Sequence, residues 1–159
     1  MNNYGINIWS DDNFVIEDGL AKINHDCKPS LISIVKDIRK QDFKGPLLLR
    51  FPHITEKQIN TLYNTFNASI KEYDYKGNFN AVFPLKVNQL PNFIHPLINE
   101  GKKFNYGLEA GSKAELVIAM TYNNINSPIT VNGFKDKEMI HLGFIAKSMG
   151  HDITLIIEG

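Results

Sequence analysis

Four polar residues recur at nearly equal intervals in the second half of this chain: Lys86, Glu109, Asn132 and Glu158. Each sits near the C-terminal end of a short run whose alternate residues are apolar. The first run, FNAVFPLKVNQ (79–89), has Phe79, Ala81, Phe83, Leu85 and Val87 on one face and Asn80, Val82, Pro84, Lys86 and Asn88 on the other. Such alternation predicts a strand with two different environments. The chemistry this permits centres on the lysine. A surface amine that snorkels into water does nothing further. An amine partly withdrawn from water becomes a nucleophile, as Schiff-base formation with an aldehyde requires. Glu109, on the next run, either neutralises Lys86 or orients it.

Other chemistries find less support. GLEAGSKAEL suggests a phosphate loop, but Gly107 and Gly111 are too close together and Ser112 precedes Lys113, the reverse of the P-loop order. A strand, a turn and a helix capped by Ser112 and Glu115 explain the same residues without a ligand, although a helix N-terminus can hold an anion weakly. His25, His53, His95, His141 and His151 lack metal-ligand spacing, and no serine or cysteine nucleophile has a partner pattern.

The elements that must position Lys86 follow from periodicity. Residues 6 to 23 read as a small antiparallel piece with a hairpin at Asp18-Gly19. Leu31, Ile34, Val35 and Ile38 form one helical face after Pro29-Ser30. From residue 46 the rhythm becomes strand–helix. PLLLRF reads as a strand, followed by a helix opening near Thr55, with Gln58 completing a capping box and Ile54 stapled to Ile59. Four further strands are expected at 79–87, 104–110, 129–133 and 153–158. Helices lie between them, two ending at Gly101 and Gly150 in left-handed termini. This alternation predicts right-handed βαβ units and a parallel sheet. Because each strand has one apolar and one mixed face, a (β/α)₈ barrel fits better than a doubly wound sheet, whose strands are apolar on both faces. Five strands fall short of a barrel, which takes about 250 residues. The chain therefore reads as an α/β protein with a preamble over 1–45 and the N-terminal part of a TIM-like barrel over 46–159.

Composition narrows the class. Seventeen basic residues balance seventeen acidic ones without a basic block, so neither a nucleic-acid nor a membrane partner is expected. The single cysteine, Cys27, precludes an internal disulfide framework. There is no signal-peptide pattern, and no apolar run approaches the roughly 20 residues of a membrane span. A cytoplasmic protein is the expectation.

FNAVFPLKVNQ followed by NYGLEAGSKAEL resembles the biosynthetic, PLP-dependent arginine decarboxylases, which have the alanine racemase-like barrel fold. The likeness continues through VNGFKDKEMIHLGFIAKSMGHDITLIIE and reaches back loosely to Trp9, Phe14 and PLLLRFP. It covers nearly the whole chain but only about the first quarter of a full-length relative. The family commonly has proline at position 84, where an ordinary central strand would not. By this resemblance Lys86 matches the lysine that carries pyridoxal 5′-phosphate, and Glu109 an acidic position beside the cofactor. Asn132, on the same polar face, joins them as a cofactor-binding residue. The implied reaction removes CO₂ from L-arginine and gives agmatine, a precursor of putrescine and spermidine. The resemblance also implies a homo-oligomer when full length and an association with magnesium. The phosphate loop, pyridine-nitrogen acid, ring-stacking histidine and guanidinium site would lie beyond residue 159, so the chain by itself is expected to be inactive. Two other readings stand beside it: a related ornithine or diaminopimelate decarboxylase, and a non-catalytic, flavodoxin-like binding module.

Overall fold

The computed structural model describes residues 4–158, which divide into two compact units, 1–50 and 51–159. In the first unit, helix α1 (Ile6–Trp9) precedes strands β1 (Phe14–Glu17) and β2 (Leu20–Ile23), paired antiparallel. Asp18 and Gly19 turn the hairpin with φ of 54° and 75°, the double positive-φ pattern that an Asp-Gly pair tolerates. Lys22 reaches back to Glu17 and Asp18. Helix α2 (Leu31–Lys40) starts at Ser30, whose hydroxyl accepts from the Ser33 amide at 3.1 Å. Its residues Leu31, Ile34, Val35 and Ile38 are half-buried, as their spacing predicts.

The second unit is built on four parallel strands: β3 (Val82–Pro84), β4 (Gly107–Ala110), β5 (Pro128–Val131) and β6 (Asp152–Leu155). They lie side by side in chain order. Helices α3 (Pro52–Glu72), α4 (Pro91–Gly101), α5 (Lys113–Tyr122) and α6 (Lys137–Ser148) connect or flank them. One sheet face carries Leu108, Ala110, Ile129 and Val131, all fully buried in one core with Ile59 and Tyr63 of α3, Ile94 and Leu97 of α4, Leu116 and Ala119 of α5, and Met139 of α6. Burying a side chain such as Leu108 or Ile129 stabilises the fold by about 2 kcal/mol. The opposite face carries Glu109, Thr130 and Thr154 on one rung. Sequential parallel order with the helices packed on one face is the plan of a partial (β/α)₈ barrel. A flavodoxin-like module would reverse its strand order and cover both faces, so that alternative is set aside.

Several local expectations fail for identifiable reasons. PLLLRF forms no strand, because 46–51 finds no ladder partner. Helix α3 opens earlier than Thr55: Pro52 occupies its first turn, where a missing N–H costs nothing, and Phe51 is the N-cap. Gly101 is right-handed (φ −76°), and the left-handed residue is Asn105 (φ 55°). Glycine is needed at 101 because a Cβ there would lie 2.5 Å from that of Tyr106. Gly150, by contrast, has φ 97°, in the expected region. The run 79–87 contains only three strand residues. Phe79 instead stacks on Phe66, with centroids 3.9 Å apart, and Val87 is exposed.

Candidate active site at the strand ends

Strand β3 stops at Pro84 because the chain turns there: the Val87 amide donates to the Pro84 carbonyl at 3.0 Å. Pro84 itself costs no ladder bond. Its neighbours bond toward β4, with the Gly107 amide donating to Ala81 and the Leu85 amide to Glu109, so the proline nitrogen faces the open edge. Leu85 plunges into the core and Lys86 is thrown to the other side. The lysine therefore sits in the turn rather than in the strand, and its side chain is 68% exposed. The withdrawal from water expected of it is absent.

Lys86 Nζ lies 3.6 Å from Glu109 Oε1, and the Glu109 side chain is only 20% exposed. The register places Glu109 opposite Pro84 on one side and Thr130 on the other. Lys86 reaches diagonally across this rung to the carboxylate. Asn132 belongs to the corner after β5 rather than to the strand. Its amide donates to the Ala110 carbonyl at 2.9 Å, which sets it two rungs beyond the Glu109–Thr130 pair and so on the same sheet face. Glu158 does not join the group: it lies past the end of β6 and is exposed. Three of the four recurring polar residues thus share one end and one face of the sheet.

The corners behind these residues are tied down. Ser112 caps α5 by accepting from the Glu115 amide at 3.2 Å, while the Glu115 carboxylate accepts from the Gly111 amide at 2.7 Å. The expected capping box forms, shifted by one residue at its second bond. Asp136 caps α6 by accepting from Met139 and pairs with Lys113 at 2.8 Å. The Lys113 hydrogen bond holds the Asp136 carboxyl below the usual carboxylate range, and Asp136 in turn raises Lys113. Lys113 is thus an ion-pair partner rather than a phosphate ligand, and sequence reasoning missed this role because Asp136 is remote along the chain. A separate cavity of about 410 Å³ lies on the helix side, lined by Ile59, Leu62, Phe83, Phe93, Leu97 and Tyr106 among others. It is apolar, and Lys86 and Glu109 do not line it.

No protein-family model matches the chain. The crystal structure of the biosynthetic arginine decarboxylase SpeA from Campylobacter jejuni superposes with a TM-score of 0.96 at 60% sequence identity, covering 100% of this chain and 27% of that one. The biosynthetic arginine decarboxylase of Prochlorococcus marinus strain AS9601 is 35% identical over 99% of this chain and 25% of its own length. That of Pelobacter propionicus is 38% identical over 98% of this chain, again 25% of its own length. The chain thus spans about a quarter of the length of the curated relatives it matches. Along its whole length it is related to the biosynthetic arginine decarboxylases and corresponds to about a quarter of one.

Proposed function

We propose that this chain is the cofactor-lysine segment of a PLP-dependent arginine decarboxylase, the whole protein converting L-arginine to agmatine and CO₂ for polyamine synthesis. The observation that carries this reading is the Lys86–Glu109 pair at the C-terminal end of a sequential parallel sheet. In a barrel of this kind, chemistry is done at that end. The residues fit a pyridoxal group. Lys86 is exposed enough for an aldehyde to reach, and Glu109 offers a half-sheltered carboxylate beside it. When bound, PLP supplies the electron sink for the bond broken at the substrate's α-carbon. Lys86 would hold the cofactor through Nζ. Glu109 would keep that amine oriented and could accept a proton at Oε1, and Asn132 would present its amide from the next corner.

Among the described residues, no group of three or more His, Cys, Asp and Glu could hold a metal ion. Among the described residues, no helix is long and apolar enough to cross a membrane, and a cytoplasmic location is part of the same proposal. Assembly into a homo-oligomer belongs to the same proposal.

The test uses the full-length protein. Borohydride reduction of the PLP-loaded enzyme, followed by peptide mapping, should place the pyridoxyl group on Lys86, and Lys86→Ala should lose agmatine production. Lys86→Arg should fail as well, since a guanidinium keeps the charge but is no nucleophile. A label on Lys102, Lys103 or Lys113, or normal turnover by the alanine variant, overturns the assignment. Ornithine or diaminopimelate consumed in preference to arginine would move the protein to a related decarboxylase.

A further inference from the structure

The ends of β4 and β5 touch through backbone alone. A Cβ on Gly133 would lie 2.2 Å from the Gly111 carbonyl oxygen and 2.9 Å from its carbon, and Gly133 has φ 150°. A Cβ on Gly111 would lie 3.1 Å from the Asn132 carbonyl oxygen. Backbone atoms cannot swing aside as the tip of a long side chain can, so the Gly133 corner admits no methyl group without a shift of the strand ends, whereas the Gly111 corner is merely tight. The contact is also fastened from outside. Glu115 holds the Gly111 amide at 2.7 Å, Lys135 holds the Gly133 carbonyl at 2.7 Å, and Lys113–Asp136 joins the starts of the two following helices. Glu109 lies two residues before one corner and Asn132 immediately before the other.

From this geometry we infer that Gly133 is a positioning residue: its contact with Gly111 sets where the Glu109 carboxylate stands relative to the Lys86 amine. The inference rests on the reading of Lys86 as the cofactor lysine. The physical basis is leverage over a loose pair. At 3.6 Å the ion pair is longer than a hydrogen bond, so the place of the carboxylate follows the backbone that carries it. A displacement of Gly111 is transmitted through Ala110, whose carbonyl is bonded to Asn132, to Glu109. Gly133→Ala should therefore open the Lys86–Glu109 separation while leaving both residues present.

The experiment reads Lys86 itself, in cofactor-free full-length protein, by its rate of acetylation relative to Lys102, measured by peptide mass spectrometry. Removing the carboxylate with Glu109→Gln frees the amine from its ion pair and should speed labelling about two- to fivefold, the range for a partly exposed pair. Gly133→Ala should speed it in the same direction, and the double variant should be no faster than Glu109→Gln. That non-additivity is the signature of action through Glu109, and a merely structural defect would not give it. Glu115→Ala releases the Gly111 amide without inserting an atom. It should give a smaller effect with the same non-additivity, and it decides the matter if Gly133→Ala does not fold. Unchanged Lys86 labelling in folded Gly133→Ala, or effects that multiply with Glu109→Gln, overturn the inference. Absence of a PLP absorption band in the wild-type protein would instead remove the cofactor reading, leaving the labelling comparison intact.

Discussion

At the scale of single residues, the site depends on one turn. Leu85 and Lys86 are adjacent, yet one is fully buried and the other is exposed. The apolar anchor fixes the backbone from which the amine projects. Tyr63 does comparable work on the helix side. Its ring stacks on Phe104 at 4.4 Å, and its hydroxyl accepts from the Ala81 amide at 3.1 Å, just before β3 begins. Burial pushes the Tyr63 phenol up, so it stays neutral through the physiological range. Tyr63→Phe keeps the ring and removes the acceptor. It should destabilise the full-length protein by about 1 kcal/mol in a urea melt, the usual worth of such a bond. No loss of stability would mean that the Ala81 amide finds water instead.

At the scale of elements, the two βα corners are the units that carry Glu109 and Asn132 into place, and their bonds can be tested by pH. Asp136 is lowered chiefly by the Lys113 hydrogen bond and secondarily by the Met139 amide. A lowered carboxylate contributes stability above its unfolded value, and that contribution is lost as pH falls through the folded value. Lys113 is raised chiefly by Asp136, so its share is present below its unfolded value and lost as pH rises through the folded one. The pair therefore works between the acid limit set by Asp136 and the alkaline limit set by Lys113. Asp136→Asn keeps a capping oxygen but not the charge. Its stability deficit relative to wild type should be present at neutral pH and vanish once pH falls below the lowered folded value of Asp136, where both carry a neutral group at 136. A deficit that persists in acid would locate the loss in the cap instead. Because the groups are exposed, the neutral-pH deficit should also shrink in high salt.

At the scale of the molecule, the sheet has two open edges among the described residues, one at β3 and one at β6. An unpaired parallel strand presents a row of backbone donors and acceptors ready for another chain. The chain also spans only about a quarter of its relatives. A polypeptide of residues 1–159, verified by mass, should therefore produce no agmatine from arginine and should sediment as oligomers or precipitate. Turnover at an enzymatic rate by that polypeptide would refute the expectation about activity, and a stable monomer the expectation about association.

How much of this was legible beforehand follows the range of each interaction. The hairpin at Asp18-Gly19, the Ser112 cap and the α2 face were readable because each depends on residues close along the chain. The shared parity of Lys86, Glu109 and Asn132 was readable too, because a strand alternates its side chains whatever it pairs with. The sequence by itself determined the parallel α/β plan and the face on which its polar residues lie. Tertiary structure decided the rest. It ended β3 at Pro84, left 46–51 without a partner, exposed Lys86 and dropped Glu158 from the group. It alone brought Gly133 against Gly111 and Lys113 to Asp136. Periodicity specifies which way a side chain points. Where a strand stops and what meets it there depend on contacts between segments far apart in the chain, and local pattern carries no record of those.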